Sequence, residues 1–179
     1  MLLSQYLGDW YVQRNFYGTV CERAQYTDLG NGNISVWNTF TAGEPGSQVA
    51  GGCAWAELTD PECDCGDLTV TFPGTPGGPY LILDTDYETF TSVYACVGLG
   101  METPWVLTRE KNPPEETVSK NGFVMIECST QNDTFQIERA LDAFRRNGVR
   151  EPEIKGEHVP ECKYDEDSPN CADDFPPPK

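Results

Sequence analysis

The chain has 179 residues, 38% of them apolar, with 17 glycines and 14 prolines, enough for one domain with a substantial core and too rich in turns for long uninterrupted helices. Twenty-nine acidic groups against 12 basic ones leave a net charge of −17, which argues against nucleic acid and anionic membrane as partners because both repel a polyanion. Eight cysteines point to an oxidising compartment and a secreted protein, and they fit a metal poorly: Cys63-Asp64-Cys65 is C-x-C, and the only histidine, His158, lies in a distant Pro/Glu-rich segment.

No apolar run is long enough to span a membrane as a helix, so membrane insertion is not expected. Met1-Leu2-Leu3-Ser4 runs straight into the first structured motif and reads as the start of a mature form with an added Met. The strands then follow closely. Trp10 to Phe16 is the first, and Cys21 to Leu29 and Asn33 to Ala42 are joined by Gly30-Asn31-Gly32, a hairpin turn whose residues tolerate positive φ. In the third strand Ile34, Trp37 and Phe40 break strict alternation, which predicts a bulge or shifted register near Val36. Gln48 to Leu58, Leu68 to Phe72, Tyr80 to Asp86, Thr89 to Val97 and Pro104 to Arg109 complete eight strands. Regular strands without intervening helices indicate an antiparallel sandwich or barrel, all-β in class. An eight-stranded closed barrel is about wide enough inside for one small ligand.

Thr134 to Asn147 places Phe135, Ile137 or Glu138, Leu141 and Phe144 at helical spacing, with Gly148 as a C-terminal cap. An amphipathic helix packed on the barrel wall is expected. Residues 1–150 thus form the barrel plus helix, and 151–179, rich in Pro, Glu and Asp, an extension ordered only where a disulfide pins it. Sequons at Asn33 (Asn33-Ile34-Ser35) and Asn132 (Asn132-Asp133-Thr134) are candidate glycosylation sites.

Three segments together resemble the lipocalin family. Gly8 and Trp10 match its G-x-W opening, Thr85-Asp86-Tyr87 its T-D-Y between the sixth and seventh strands, and Arg109 the basic residue ending the eighth. The flavour is that of the apolipoprotein D branch, which includes bilin-binding proteins and crustacyanins, and it is closest over Pro79 to Cys96. The resemblance implies an up-and-down barrel whose floor is closed by Trp10, with Arg109 over its ring. It implies a Cys21–Cys162 bridge between the second strand and a point beyond the helix. It gives Cys96 a partner ahead of the G-x-W, where this sequence has no cysteine; Cys128 is the alternative, as in a crustacyanin-like bridge. Cys53 with Cys63 or Cys65 across the fourth hairpin is the local pairing, leaving Cys171. The segment 113–133 looks inserted relative to these relatives.

The resemblance makes Trp105 a pocket-lining position, and if Arg109 faces inward, Leu107 and Trp105 do too. Trp37, Phe40, Trp55, Phe72, Tyr80 and Tyr94 are strand aromatics that would line the upper cavity, each as readily facing out. So many rings suit a flat conjugated or polycyclic ligand, such as a carotenoid, retinoid, bilin or steroid, more than a fatty-acid-like chain. The expected function is extracellular transport of such a small hydrophobic ligand, with no catalysis and no required cofactor beyond a bound chromophore. The competing readings are a lipocalin-type isomerase using Cys53 as nucleophile, though no histidine lies in the barrel segment to activate it, and a pigment or structural subunit assembling as a homo- or hetero-oligomer.

Overall fold

The computed structural model describes residues 3–30, 32–41, 44, 46–47, 49–63, 65–97, 101–113, 133–152, 154–155, 162–164 and 171. Asn132, Cys128 and nearly all of the 113–133 segment lie outside the described residues, as do the side chains of Cys96, Phe135, Ile137 and Glu138.

A one-turn helix, α1 (Leu3–Tyr6), leads into β1 (Gly8–Asn15), β2 (Val20–Gly30), β3 (Asn33–Thr41), β4 (Val49–Leu58), β5 (Asp67–Thr71), β6 (Gly78–Thr85), β7 (Phe90–Val97) and β8 (Met101–Thr108). Each strand pairs antiparallel with the next, and β1 pairs with both β2 and β8, which closes the sheet into an eight-stranded up-and-down barrel. The residue alternation of a strand then sorts every side chain to the interior or the outer wall. Trp10 and Val12 of β1, Ala24 and Tyr26 of β2, Ile34 and Val36 of β3, Ala54 and Ala56 of β4, Leu68, Val93 and Leu107 meet in the interior.

The bulge expected near Val36 is absent. β3 runs in unbroken register with β4 from Asn33 to Thr41, and Ile34, Val36, Asn38 and Phe40 share one face. Trp37 produced the misleading pattern: it is an apolar residue on the outer face. The irregularities lie instead in β2 near Cys21, which holds φ 53°, and again between Asp28 and Gly30, in β1 after Val12 and in β6 after Ile82. The hairpin glycines behave as anticipated, Gly30 and Gly32 adopting φ of 78° and 81°.

One helix packs outside, α2 (Asp133–Arg146). Its buried stripe of Ala140, Leu141 and Phe144 sits on Phe90 and Val106, with Leu83, Tyr94 and Val149 alongside. The Ser92 hydroxyl donates to the Ala140 carbonyl at 2.8 Å, and Asp84 accepts from Arg139 and Arg146. Gly148, at φ 67°, ends the helix: its N–H reaches the Arg145 carbonyl, and the Val149 N–H reaches Phe144 at 2.9 Å.

Beyond the helix, a two-residue strand β9 (Ile154–Lys155) pairs with Arg14 and Asn15 of β1. Tyr164 packs edge-on against Tyr11, ring centroids 5.1 Å apart, and Lys111 lies over both rings. The described part of the extension thus lies along the outer wall of the first four strands, fastened at Cys21–Cys162 and Cys53–Cys171.

Candidate functional site: the barrel interior

The floor of the barrel is built by the motif residues. Gly8 takes φ 93°, and a Cβ there would stand 3.3 Å from Arg109 Nη1; only glycine lets the guanidinium come that close. Arg109 covers the Trp10 ring at 3.8 Å and donates to the carbonyls of Asp9, Gln5 and Tyr87. Trp10 is fully buried and donates to the Tyr6 carbonyl at 2.9 Å. Tyr87 holds the left-handed φ of 67° because Asp86 and Thr85 clasp the turn, Asp86 accepting from the N–H groups of Glu88, Thr89 and Phe90. Burial pushes the Asp86 carboxyl up, but these bonds and the Thr89 hydroxyl outweigh it and hold it below the ordinary aspartate range. The floor is structural: it plugs one end and leaves the other to decide what enters.

Above the floor the interior carries a cluster of phenols. Tyr6 shares a hydrogen bond with Thr91 at 3.1 Å, and the Tyr26 and Tyr80 hydroxyls meet at 2.8 Å. Desolvation raises all three phenols, Tyr26 to about 12, so this layer is polar but uncharged. Tyr80 stacks on Trp105 with centroids 6.4 Å apart. Tyr80, Ile82, Val70 and Trp105 all remain partly exposed, although they sit on inner faces of a closed barrel. Their exposure is to the interior and its mouth. The opposing face of β4 is Ala50, Gly52, Ala54 and Ala56, side chains too small to fill the volume across from them.

Of the expected lining residues, Trp105, Leu107, Tyr80, Phe40 and Phe72 fall on inner faces. Leu107 is packed into the floor at 3% exposure, whereas Phe40 and Phe72 stand at the mouth, 36% and 43% exposed. Three do not line the interior. Trp37 and Trp55 alternate outward from Val36 and Ala54, and Trp37 lies across Gly51, where a Cβ would meet its ring at 2.8 Å. Tyr94 faces out beneath the helix. The outer wall here is covered by α2 and the extension, so aromatic character alone does not mark an inward residue.

The interior also holds a carboxylate that the strand aromatics had overshadowed. Glu22 alternates with Ala24 and Tyr26 on the inner face of β2, and its Oε2 accepts from Asn15 Nδ2 at 3.2 Å and Thr19 Oγ1 at 2.8 Å. Fully buried Asn15 also accepts from the N–H groups of Tyr17 and Gly18, folding the β1–β2 loop over the mouth side. Desolvation raises the Glu22 carboxyl against the lowering pull of Thr19 and Asn15. An acidic residue two and four positions ahead of Ala24 and Tyr26 was the sequence signal.

The Cys21–Cys162 bridge is present as the resemblance implies, while Cys53 is paired differently from the local expectation. Cys21 joins Cys162 across 141 residues, Cys53 joins Cys171 across 118, and Cys63 joins Cys65. Cys53 points outward, so it reaches the extension on the outer wall rather than its neighbour's hairpin, and it is not a free nucleophile in the interior. The Cys53-based isomerase loses its thiol. The proposed Cys96–Cys128 pair lies outside the described residues. No group of three or more metal-ligating side chains occurs among the described residues.

No protein-family model matches the chain. Among curated proteins it is similar to apolipoprotein D of Oryctolagus cuniculus, 34% identical over 127 residues, which cover 65% of each chain and so just under two thirds of that relative's length. It is 30% identical to apolipoprotein D of Rattus norvegicus over 141 residues, 73% of this chain and 70% of the relative. Among solved structures, apocrustacyanin C2 superposes with a TM-score of 0.62 over 88% of this chain and 80% of its own, at 16% identity. With the closed eight-stranded barrel, the plugged floor and a relative matched over more than two thirds of its length, the chain belongs to the lipocalin family.

Proposed function

We propose that the barrel binds and carries one small hydrophobic ligand, and that the protein does so outside the cell. The observation that carries this reading is the gradient along the barrel axis: fully buried Tyr6 and Trp10 at the floor, then inner-face Tyr80, Ile82 and Trp105 left partly exposed, then Phe40 and Phe72 at the mouth. Apolar ligands bind in such concave, largely preformed interiors, where a few polar groups set orientation. The stacked Tyr80–Trp105 pair offers flat faces, and the Tyr26–Tyr80 hydroxyls offer an uncharged hydrogen bond. That combination favours a conjugated or polycyclic frame of the carotenoid, retinoid, bilin or steroid kind, with a hydroxyl or carbonyl pointing inward. Apolipoprotein D-like relatives and two long-range bridges support secretion, and the partly exposed Asn33 at the start of β3 is the sequon we assign to glycosylation.

Titration with retinol, biliverdin and progesterone, read by tryptophan fluorescence quenching, tests the reading. At least one ligand should bind saturably at one to one. Trp105→Ala should weaken it tenfold or more, about 1.4 kcal/mol, while outward Trp55→Ala should leave affinity unchanged. Equal effects of the two substitutions, or no saturable binding, would remove the interior as the site.

A further inference from the structure

Two of the three described disulfides have an evident mechanical role. Cys21, Cys53 and Cys171 are 1%, 7% and 4% exposed, and their bridges span most of the chain. The third differs in span and in having neither cysteine buried, whereas only Cys162 of the other four cysteines is partly exposed. Cys63–Cys65 closes a ring through a single intervening residue, in the β4–β5 loop at the floor end. Both cysteines are partly exposed, beside exposed Asp60, Pro61 and Glu62. A bridge over so short a loop removes far less freedom from the unfolded chain than the two long-range bridges do.

Nor does the loop need it. Its base is already clasped by the Thr59 N–H to Asp67 carbonyl bond at 3.0 Å, by Thr59 Oγ1 to the Asp67 carboxylate, and by the Ile82 N–H to the Gly66 carbonyl at 2.7 Å. Asp60 caps the turn from inside, accepting from the Glu62 N–H on its carboxylate and from the Cys63 N–H on its carbonyl. Opening the S–S bond therefore leaves β4 and β5 paired. Exposed bridges in tight rings are the ones that exchange, while buried long-range ones persist.

We propose that Cys63–Cys65 is a thiol–disulfide exchange site, separate from the ligand interior, that takes uncharged or cationic small thiols as its reductants. In the step, a thiolate attacks one sulfur, forming a mixed disulfide and expelling the other cysteine as thiolate. A second small thiolate attacks the sulfur of the bound small thiol, leaving as the small-molecule disulfide and releasing the second cysteine thiolate. Two electrons pass from two small thiols to the bridge, and the cysteine thiolates take protons from water. The reverse reaction reduces a small disulfide. Selectivity comes from charge: Asp60, Glu62 and Asp67 flank the two cysteines in the loop, and the one residue between them in sequence is a further aspartate, so they repel the dianionic glutathione thiolate and admit that of cysteamine.

The test incubates the folded chain, its pre-existing free thiols blocked, with cysteamine or glutathione, then maps new thiols by maleimide labelling and peptide mass spectrometry. Label is expected at Cys63 and Cys65 alone. Per thiolate, cysteamine should act about fivefold or more faster than glutathione at low salt, relative to a neutral reference disulfide, and the ratio should fall toward one at 1 M salt. A Cys63→Ser/Cys65→Ser variant should take no label and keep its Tm within about 2 °C. Labels arising first at Cys21, Cys53, Cys162 or Cys171, a bridge that resists until the chain unfolds, a rate ratio indifferent to salt, or a marked loss of Tm in the double variant would each overturn the proposal.

Discussion

Glu22 places an ionisable group where the barrel otherwise offers apolar and phenolic surface, and its raised pKa has a definite sign for stability. The folded chain holds the Glu22 proton more tightly than the unfolded chain, whose glutamate value is 4.5. Stability therefore falls as pH rises from that value through the folded one, and the cost is complete above it. Both hydrogen bonds to Glu22 arrive at one oxygen, Oε2, so an amide oxygen can accept the same pair. Glu22→Gln should raise Tm at pH 7 and converge with the parent near pH 4, as thermal melts across that range would record. Parallel curves would mean that Glu22 ionises without cost. The Gly8–Trp10–Arg109 constellation, by contrast, was legible in the sequence through its resemblance to the lipocalin motifs, and the structure gives the reason for each residue type: a glycine with positive φ, an indole, and one guanidinium to cover it.

Among the elements, α2 carries the clearest energetic claim. Phe144 is fully buried against Phe90 and Val106, and the Schellman turn at Gly148 brings Val149 onto the same cluster. Phe144→Ala should cost about 3–5 kcal/mol in urea unfolding, the usual result of truncating a buried phenylalanine. A cost under about 1 kcal/mol would mean the helix merely rests on the wall. The periodicity of Leu141 and Phe144 made this element readable, since one face of a helix needs only a few apolar residues in step. Strand facing was harder. Trp37, Trp55 and Tyr94 obey the same period-two rule as their inward neighbours, but the outer wall beneath α2 and the extension is itself covered, so hydrophobicity no longer distinguishes the two faces. Counting from Trp10 through the β1–β2 pairing separates them, and that pairing is not visible along the chain.

For the whole molecule, the extension could not be read from composition. Its Pro and acidic residues describe a solvated tail; the resemblance placed Cys162 on Cys21, 141 positions earlier, as found, but nothing along the chain placed Cys171 on Cys53, 118 positions earlier. Those separations have a consequence in the order of synthesis. The barrel strands end at Thr108, so Cys21 and Cys53 emerge and fold long before the cysteines they finally join exist. In that interval Cys53 has Cys63 and Cys65 as its neighbouring thiols, ten and twelve residues on, and closing so short a loop is fast. A provisional hairpin bridge is therefore expected first, to be exchanged once Cys171 is available. Pulse alkylation during oxidative refolding should therefore trap Cys53 linked to Cys63 or Cys65 before Cys53–Cys171, and a disulfide isomerase should shorten the lag. Appearance of Cys53–Cys171 without such a precursor would show that the wall guides the tail directly. The cysteines beyond the helix are thus the ones that fix which of the early pairings survives.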